Sequence, residues 1–320
     1  MIEAKVFDFN NKSDFSIELS ELPNQIQAGN YCWVTADPLD TREILSILEI
    51  ENLSNPALLN FLSFKKCEGK YEVFPRCLQF TVTEARISDS RIKTSQVDVA
   101  LTANCMIMIV HEPALFLYKM KATNQEDFAK FSLSPSFLLY EIGDFMLDVY
   151  GDTLRDLSSE IEKIQINLFG RVDDNIFKQV SNLTSDLLHF RRVVLAARDL
   201  MHELATRRSP FVSESTQPFL DRLADRLERL CEDISAEREA LNEMLHLYMG
   251  MVSHRTNRIV NRLTALSMVF LPLGFFCGVF GMNFEFMPEL GLKYGYLGFW
   301  LIILSIASGL LVFMKRKGWI

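Results

Sequence analysis

Asn257, Asn261, Thr264, Ser267, Leu271, Gly274 and Gly278 recur at intervals of three or four, and three residues later the chain reads Gly281-Met282-Asn283. On a helix this spacing gathers small and polar side chains into one stripe. Amide oxygens and backbone carbonyls are hard ligands. They suit a divalent cation such as magnesium, which takes oxygen donors and sheds its waters reluctantly. A ring of neutral amides can attract the hydrated ion and still release it. Two carboxylates, Glu285 and Glu289, follow closely. They are placed to concentrate cations in front of Asn283. A second reading of the stripe is helix packing, since Gly274 and Gly278 form a GxxxG pair that permits close approach. The continuation of the stripe through Asn261 and Asn257 favours a water-filled path.

The elements that would carry this stripe are two apolar segments, residues 263–280 and 297–314. Each has roughly 18 residues without a charge, about the length that crosses a hydrocarbon core. Backbone groups in lipid must pair internally, so both are expected as helices. The connection, 284–296, is short and holds Glu285, Glu289 and Lys293. Arg255, Arg258 and Arg262 precede the first segment, and Lys315, Arg316 and Lys317 follow the second. The bias of basic residues predicts cytoplasmic N- and C-termini and an external loop, in a plasma or inner membrane. Trp300 and Trp319 are candidate interface anchors. No apolar run follows a basic start at the N-terminus, so no signal peptide is expected.

The remainder has the composition of soluble protein. The net charge of −8 argues against a nucleic-acid partner. Six cysteines are scattered without a C-x-x-C pair, which suits a reducing compartment and gives no zinc-site spacing. Residues 1–134 are expected to form an α/β domain. Residues 4–9 and 31–34 read as strands, Thr41 can cap a helix carrying Ile44, Leu45, Ile47 and Leu48, and 71–83 and 98–119 are β-rich. Interleaved strands and helices predict a layered α/β sandwich.

From 135 to 262 the apolar period lengthens to about 3.5. Ile142, Val149, Leu157, Ile161 and Ile164 trace one long helix, with a turn at Gly170 and Asp173-Asp174. Val180, Leu187, Phe190 and Val194 trace a second, from about Asn175 to Arg207. A third begins after Thr216 with Pro218 in its first turn. It carries Leu220, Leu223, Leu227, Leu230, Ile234 and Leu241, with Glu237 interrupting the seam. No breaker separates Pro218 from Pro272, so this stalk helix is expected to run to Gly281, roughly 95 Å at ~1.5 Å per residue. One small domain cannot cover a helix of that length, which predicts self-association.

Enzyme chemistry has no footing. No P-loop, HExxH, dinucleotide glycine pattern or Ser/His/Asp set is present. His246 and His254 lie eight residues apart without further ligands. No cofactor is expected.

Phe280-Gly281-Met282-Asn283 followed by Phe284-Glu285-Phe286-Met287-Pro288-Glu289-Leu290 resembles the signature of CorA-type divalent cation transporters. The family usually has Tyr where this chain has Phe280. The close resemblance covers roughly the last 65 residues, from Asn257 to the basic tail at 315–320. It implies a funnel-shaped homopentamer: a cytoplasmic α/β domain at 1–134, a long-helix stalk at 135–262, a pore helix at 263–283 and a second span at 297–314. Gly281, Met282 and Asn283 would form the ion filter, with Gly281 and Asn283 meeting the metal through its waters. Asn257, Val260, Leu263, Ser267, Leu271 and Gly274 would line the pore. Val260, Leu263 and Leu271 would close it by dewetting. Relatives often carry Thr or a larger residue at Gly274.

The resemblance further implies magnesium as both transported and regulatory ion, with cobalt and nickel as side cargo. Candidate sensors are Asp221, Asp225, Glu228, Glu232 and Asp233 on the stalk and Asp148, Asp152 and Asp156 on the first long helix. None matches a family sensor position, and each also reads as part of a solvated acidic face. Two alternatives stay open: a zinc or other transition-metal transporter on the same fold, and a non-conducting membrane-anchored coiled-coil scaffold. Met282 with Met-Pro-Glu-Leu favours magnesium over zinc.

Overall fold

The computed structural model describes residues 2–8, 13–37, 71–89, 91–123, 136–168, 174–282 and 287–318. The expected helix after Thr41 and the turn at residues 170–173 lie outside them. The chain divides into two compact units, Met1–Glu243 and Met244–Ile320.

The first unit is built on strands β1 (Glu3–Asp8), β2 (Ser13–Ile17), β3 (Tyr31–Ala36), β4 (Tyr71–Val73), β5 (Leu78–Ser88), β6 (Arg91–Leu101) and β7 (Cys105–Val110). They form one sheet in the order β2-β1-β3-β7-β6-β5-β4. Neighbours are antiparallel except β3 and β7, which run parallel with Val34 opposite Ile107. The alternation in β1 fixes its faces. Ala4 and Val6 join Cys32, Val34, Ala100, Ile107 and Ile109 in a core under Leu22 of helix α1 (Leu22–Gln27). Strand β3 is buried along its whole length, as befits a central strand covered on both faces.

Helix α2 (Leu115–Thr123) stands where the sequence reading expects β-rich chain through 119. Tertiary context decides this difference. The buried Glu84 carboxylate accepts the Phe116 amide at 2.8 Å, satisfying an otherwise orphaned donor at the helix start. Phe116, Leu117 and Met120 are then buried.

Helices α3 (Phe137–Leu168) and α4 (Asp174–Thr206) both pack on β5. Tyr150 of α3, fully buried, donates to the Thr83 carbonyl, and Thr153 donates to the Ala85 carbonyl at 2.9 Å. Burial pushes the Tyr150 phenol well above its usual pKa, so it stays a donor. Helix α5 (Gln217–Phe280) is continuous over 64 residues and passes through Pro272. Its expected apolar seam is the observed one: Leu220, Leu223, Leu227, Leu230, Ile234 and Leu241 are all buried. Glu237 interrupts the seam without a penalty because Ser158 of α3 donates to it at 2.6 Å. Thr216 precedes the helix, and its hydroxyl pairs with that of Ser136 at 2.8 Å.

The second unit holds the end of α5, a short 3-10 turn at Pro288–Gly291 and helix α6 (Gly295–Arg316). Among the described residues, α5 and α6 are the two helices long and apolar enough to cross a membrane, with 6% and 11% of their apolar windows buried. Core helices of soluble proteins of that hydropathy would be covered.

Candidate functional site

The last turns of α5 show two unlike sides. Successive residues turn by about 100°. Ala265 is buried, and Val269, Pro272, Leu273, Phe276, Val279 and Phe280 are half-buried; together they occupy one side. That side is covered within the hairpin, and the Phe280 ring packs on Phe299 of α6 at 4.9 Å. The expected pore residues lie on the other side. Val260 is 51% exposed, Leu263 64% and Leu271 75%, and Asn257, Ser267 and Gly274 are exposed too. A Cβ added at Gly274 would meet nothing within 4 Å. Phe270, beside Leu271 in sequence, is exposed on the flank.

The helix closes tightly at its C-terminal end. The Gly281 amide donates to the Cys277 carbonyl at 3.0 Å and to the Gly278 carbonyl at 3.2 Å. The Met282 amide reaches the Val279 carbonyl at 3.3 Å. A Cβ at position 281 would come within 3.1 Å of the Cys277 carbonyl, so a glycine suits this turn. Met282 follows, about half exposed. Asn283, Glu285 and the side chain of Glu289 lie outside the described residues. The C-terminal end of a helix carries partial negative charge, which favours a cation just beyond it. The end of α5 therefore presents a negative dipole to the segment where Asn283 continues the chain.

The acidic candidates sit differently from a bare carboxylate cluster. Lys119 donates to Asp152 at 3.0 Å, Arg155 also pairs with it, and both hold its carboxyl below the usual range. Arg198 pairs with Glu228, and His202 lies 3.8 Å from Asp221. Asp148, Asp152 and Asp233 share a cavity of about 590 Å³ with Lys119, Arg155, Arg226 and Arg229. Among the described residues, no three His, Cys, Asp or Glu side chains are grouped to hold a metal ion. Charge runs in the sequence could not reveal these partners, because Lys119 and Arg198 come from other helices.

The sequence model described as CorA-like Mg2+ transporter protein matches residues 28–316. The chain belongs to the CorA-like Mg2+ transporter family.

Over 237 residues, 72% of this chain and 66% of the relative, it is 26% identical to the cobalt/magnesium transport protein CorA of Thermotoga maritima. Over 150 residues, 46% of this chain and 47% of the relative, it is 31% identical to the magnesium transport protein CorA of Bacillus subtilis. The fold is similar to the complete structure of the CorA magnesium transporter from Methanocaldococcus jannaschii, with a TM-score of 0.85 at 17% identity, covering 100% of this chain and 99% of that one. CorA membership places the α/β sheet unit, the long helix and the two apolar C-terminal helices in one architecture. It is a family of transporters rather than enzymes.

Three structural residues of this CorA-type hairpin escaped the sequence reading. Ala265, Ile303 and Met314 are buried at 4%, 7% and 0% exposure while most of their neighbours are exposed. In segments that are apolar all round, periodicity carries no signal to single them out.

Proposed function

We propose that this chain is the subunit of a magnesium influx channel, a homopentamer in which one α5 per subunit lines the path. The observation that carries this reading is the uncovered side of α5. A helix that hides Ala265 and Phe276 within its own hairpin leaves Val260, Leu263, Ser267, Leu271 and Gly274 to face a symmetry axis. Gly281, Met282 and Asn283 from five copies form the filter at the outer end. Asn283 amides hold the hydrated ion through its waters, and the negative ends of the helices add to the attraction. Glu285 and Glu289 raise the local cation concentration.

Entry needs no nucleotide. An inside-negative potential contributes about 2.3 kcal/mol per charge per 100 mV, and a divalent ion gains twice that. The sheet unit, the stalk and both termini are cytoplasmic. Residues 1–134, 135–262, 263–283, 284–296, 297–314 and 315–320 are read as α/β domain, stalk, pore helix, external loop, second span and basic tail. Carboxylates between subunits repel one another unless magnesium neutralises them, so loss of cytoplasmic magnesium opens the path. Cobalt and nickel follow magnesium as hydrated divalent ions.

The test is magnesium entry into proteoliposomes carrying a magnesium-sensitive dye, native against Asn283→Ala. Native influx should rise with an inside-negative potential, and the substitution should nearly abolish it. Equal influx in both, with insertion verified, would remove the filter assignment. Zinc entry without magnesium entry would move the protein to transition-metal transport.

A further inference from the structure

One charged patch of the second unit is left unused by ion conduction. Arg255, Arg258 and Arg262 fall on the same side of α5 as Ala265, Val269 and Phe276, which is the covered side and not the pore side. Lys315 and Arg316 end α6, and Lys317 follows. The hairpin brings the two groups to one level. Phe280 and Phe299 are in ring contact at the outer end. Ala265 lies fifteen residues back from Phe280, and Met314 fifteen residues on from Phe299. Both distances are about 22 Å of helix. Ala265 and Met314 are buried at that shared level. Arg262 is one turn further along α5, and Lys315 begins the basic end of α6.

All six basic residues are exposed, and none has a carboxylate partner among the described residues. The sequence shows why. No Asp or Glu occurs between Glu243 and Glu285, and none after Glu289. Six cations within a few turns repel one another unless counter-charge is brought to them. They also border directly on the apolar hairpin. A ligand that suits this place needs an anionic head beside the bases and an apolar body along α5 and α6.

We propose that Arg255, Arg258, Arg262, Lys315, Arg316 and Lys317 form a binding site for the headgroups of anionic phospholipids at the inner end of the hairpin. Phosphodiesters accept hydrogen bonds from guanidinium and ammonium groups, and the acyl chains lie along the exposed apolar flank that includes Leu266 and Phe270. Such lipid would neutralise the cluster and fix the inner end of α5 relative to α6. The proposal rests on the membrane placement of the hairpin and not on what ion passes.

The experiment uses the full chain in phosphatidylcholine nanodiscs containing a minor fraction of spin-labelled phosphatidylglycerol or spin-labelled phosphatidylcholine. The motionally restricted fraction of each label is read. Each base near an anionic surface strengthens association about fivefold. Native protein should therefore restrict phosphatidylglycerol at least about fivefold more than phosphatidylcholine, the preference fading as salt rises. The variant with all three arginines and Lys315, Arg316 and Lys317 changed to Gln should show no preference, with unchanged helical circular dichroism. A milder Arg258→Gln/Arg262→Gln variant should lose part of it, and Lys293→Gln none. No preference in the native protein, or an equal preference in the six-residue variant, would overturn the site. The readout is independent of flux, so a failed magnesium assay and a failed lipid assay are separate results.

Discussion

The Phe280 ring lies 4.9 Å from the Phe299 ring, tilted by 58°, and Phe280 is the residue immediately before Gly281. This contact ties the end of α5, which leads into the proposed filter, to helix α6. An aromatic pair contributes about 0.5–1.5 kcal/mol beyond its buried area. Phe280→Ala should therefore raise the half-saturating magnesium concentration for uptake by up to about tenfold. Phe280→Tyr keeps the ring and should stay near native. Uptake curves for the two variants in one liposome preparation check this.

Leu271 is 75% exposed on the uncovered side of α5. In the proposed channel it belongs to an apolar constriction that excludes water when closed. Leu271→Asn removes roughly 1.5–3 kcal/mol of apolar preference per subunit, so leak at high cytoplasmic magnesium should rise at least tenfold. Magnesium entry measured with millimolar magnesium on the inner side is the readout. Unchanged leak would take Leu271 out of the constriction.

Gly143 of α3 lies where a Cβ would come within 2.7 Å of the Leu223 side chain on α5 and 3.2 Å of the Met201 thioether on α4. Three helices meet there. Gly143→Ala gains about 1 kcal/mol of helix propensity while only flexible side-chain ends must move, so the net change should be within about 1 kcal/mol. Gly143→Leu cannot be accommodated that way and should cost about 1–3 kcal/mol or more. Urea unfolding monitored by circular dichroism separates the two.

His111 Nε2 is 2.6 Å from Asp98 Oδ2, and Thr81 donates to the other carboxylate oxygen at 2.7 Å. The hydrogen bond that protonated His111 donates to Asp98 raises the His111 pKa above 6.5, against a smaller opposing effect of burial. The folded chain thus holds this proton more tightly than the unfolded chain. Its stabilisation is fully present below about pH 6.5 and is lost as pH rises through the elevated folded value. His111→Gln should flatten that part of the pH dependence. Urea midpoints of native and variant at pH 6 and pH 8 check it.

Much of the molecule was legible in the sequence. Leu220, Leu223, Leu227, Leu230, Ile234 and Leu241 repeat at helical spacing, and all are buried. The absence of a breaker before Pro272 foretold a helix that runs unbroken to Phe280. The small and polar stripe is a local pattern, and its residues lie on the exposed side of α5 while bulky Phe276 is half-buried on the hairpin side. Length, periodicity and charge are local properties, and a local pattern is enough to express them.

Tertiary structure decided what depends on partners distant in the chain. The segment at Leu115–Thr123 looks strand-like alone and becomes a helix because Glu84 caps it from β5. The parallel pairing of β3 with β7 joins Val34 to Ile107 across more than seventy residues, and no local pattern sets that register. Asp152 and Glu228 read as free acidic charges until Lys119 and Arg198 arrive from other helices. In the apolar hairpin only packing distinguishes Ala265 and Met314 from their neighbours. Sequence alone therefore determined the three long helices, the two apolar segments and the Gly-Met-Asn motif at the end of one. The folded chain determined which charges are spent within the subunit and which side of α5 is left to meet something else, because burial and pairing are properties of neighbours in space.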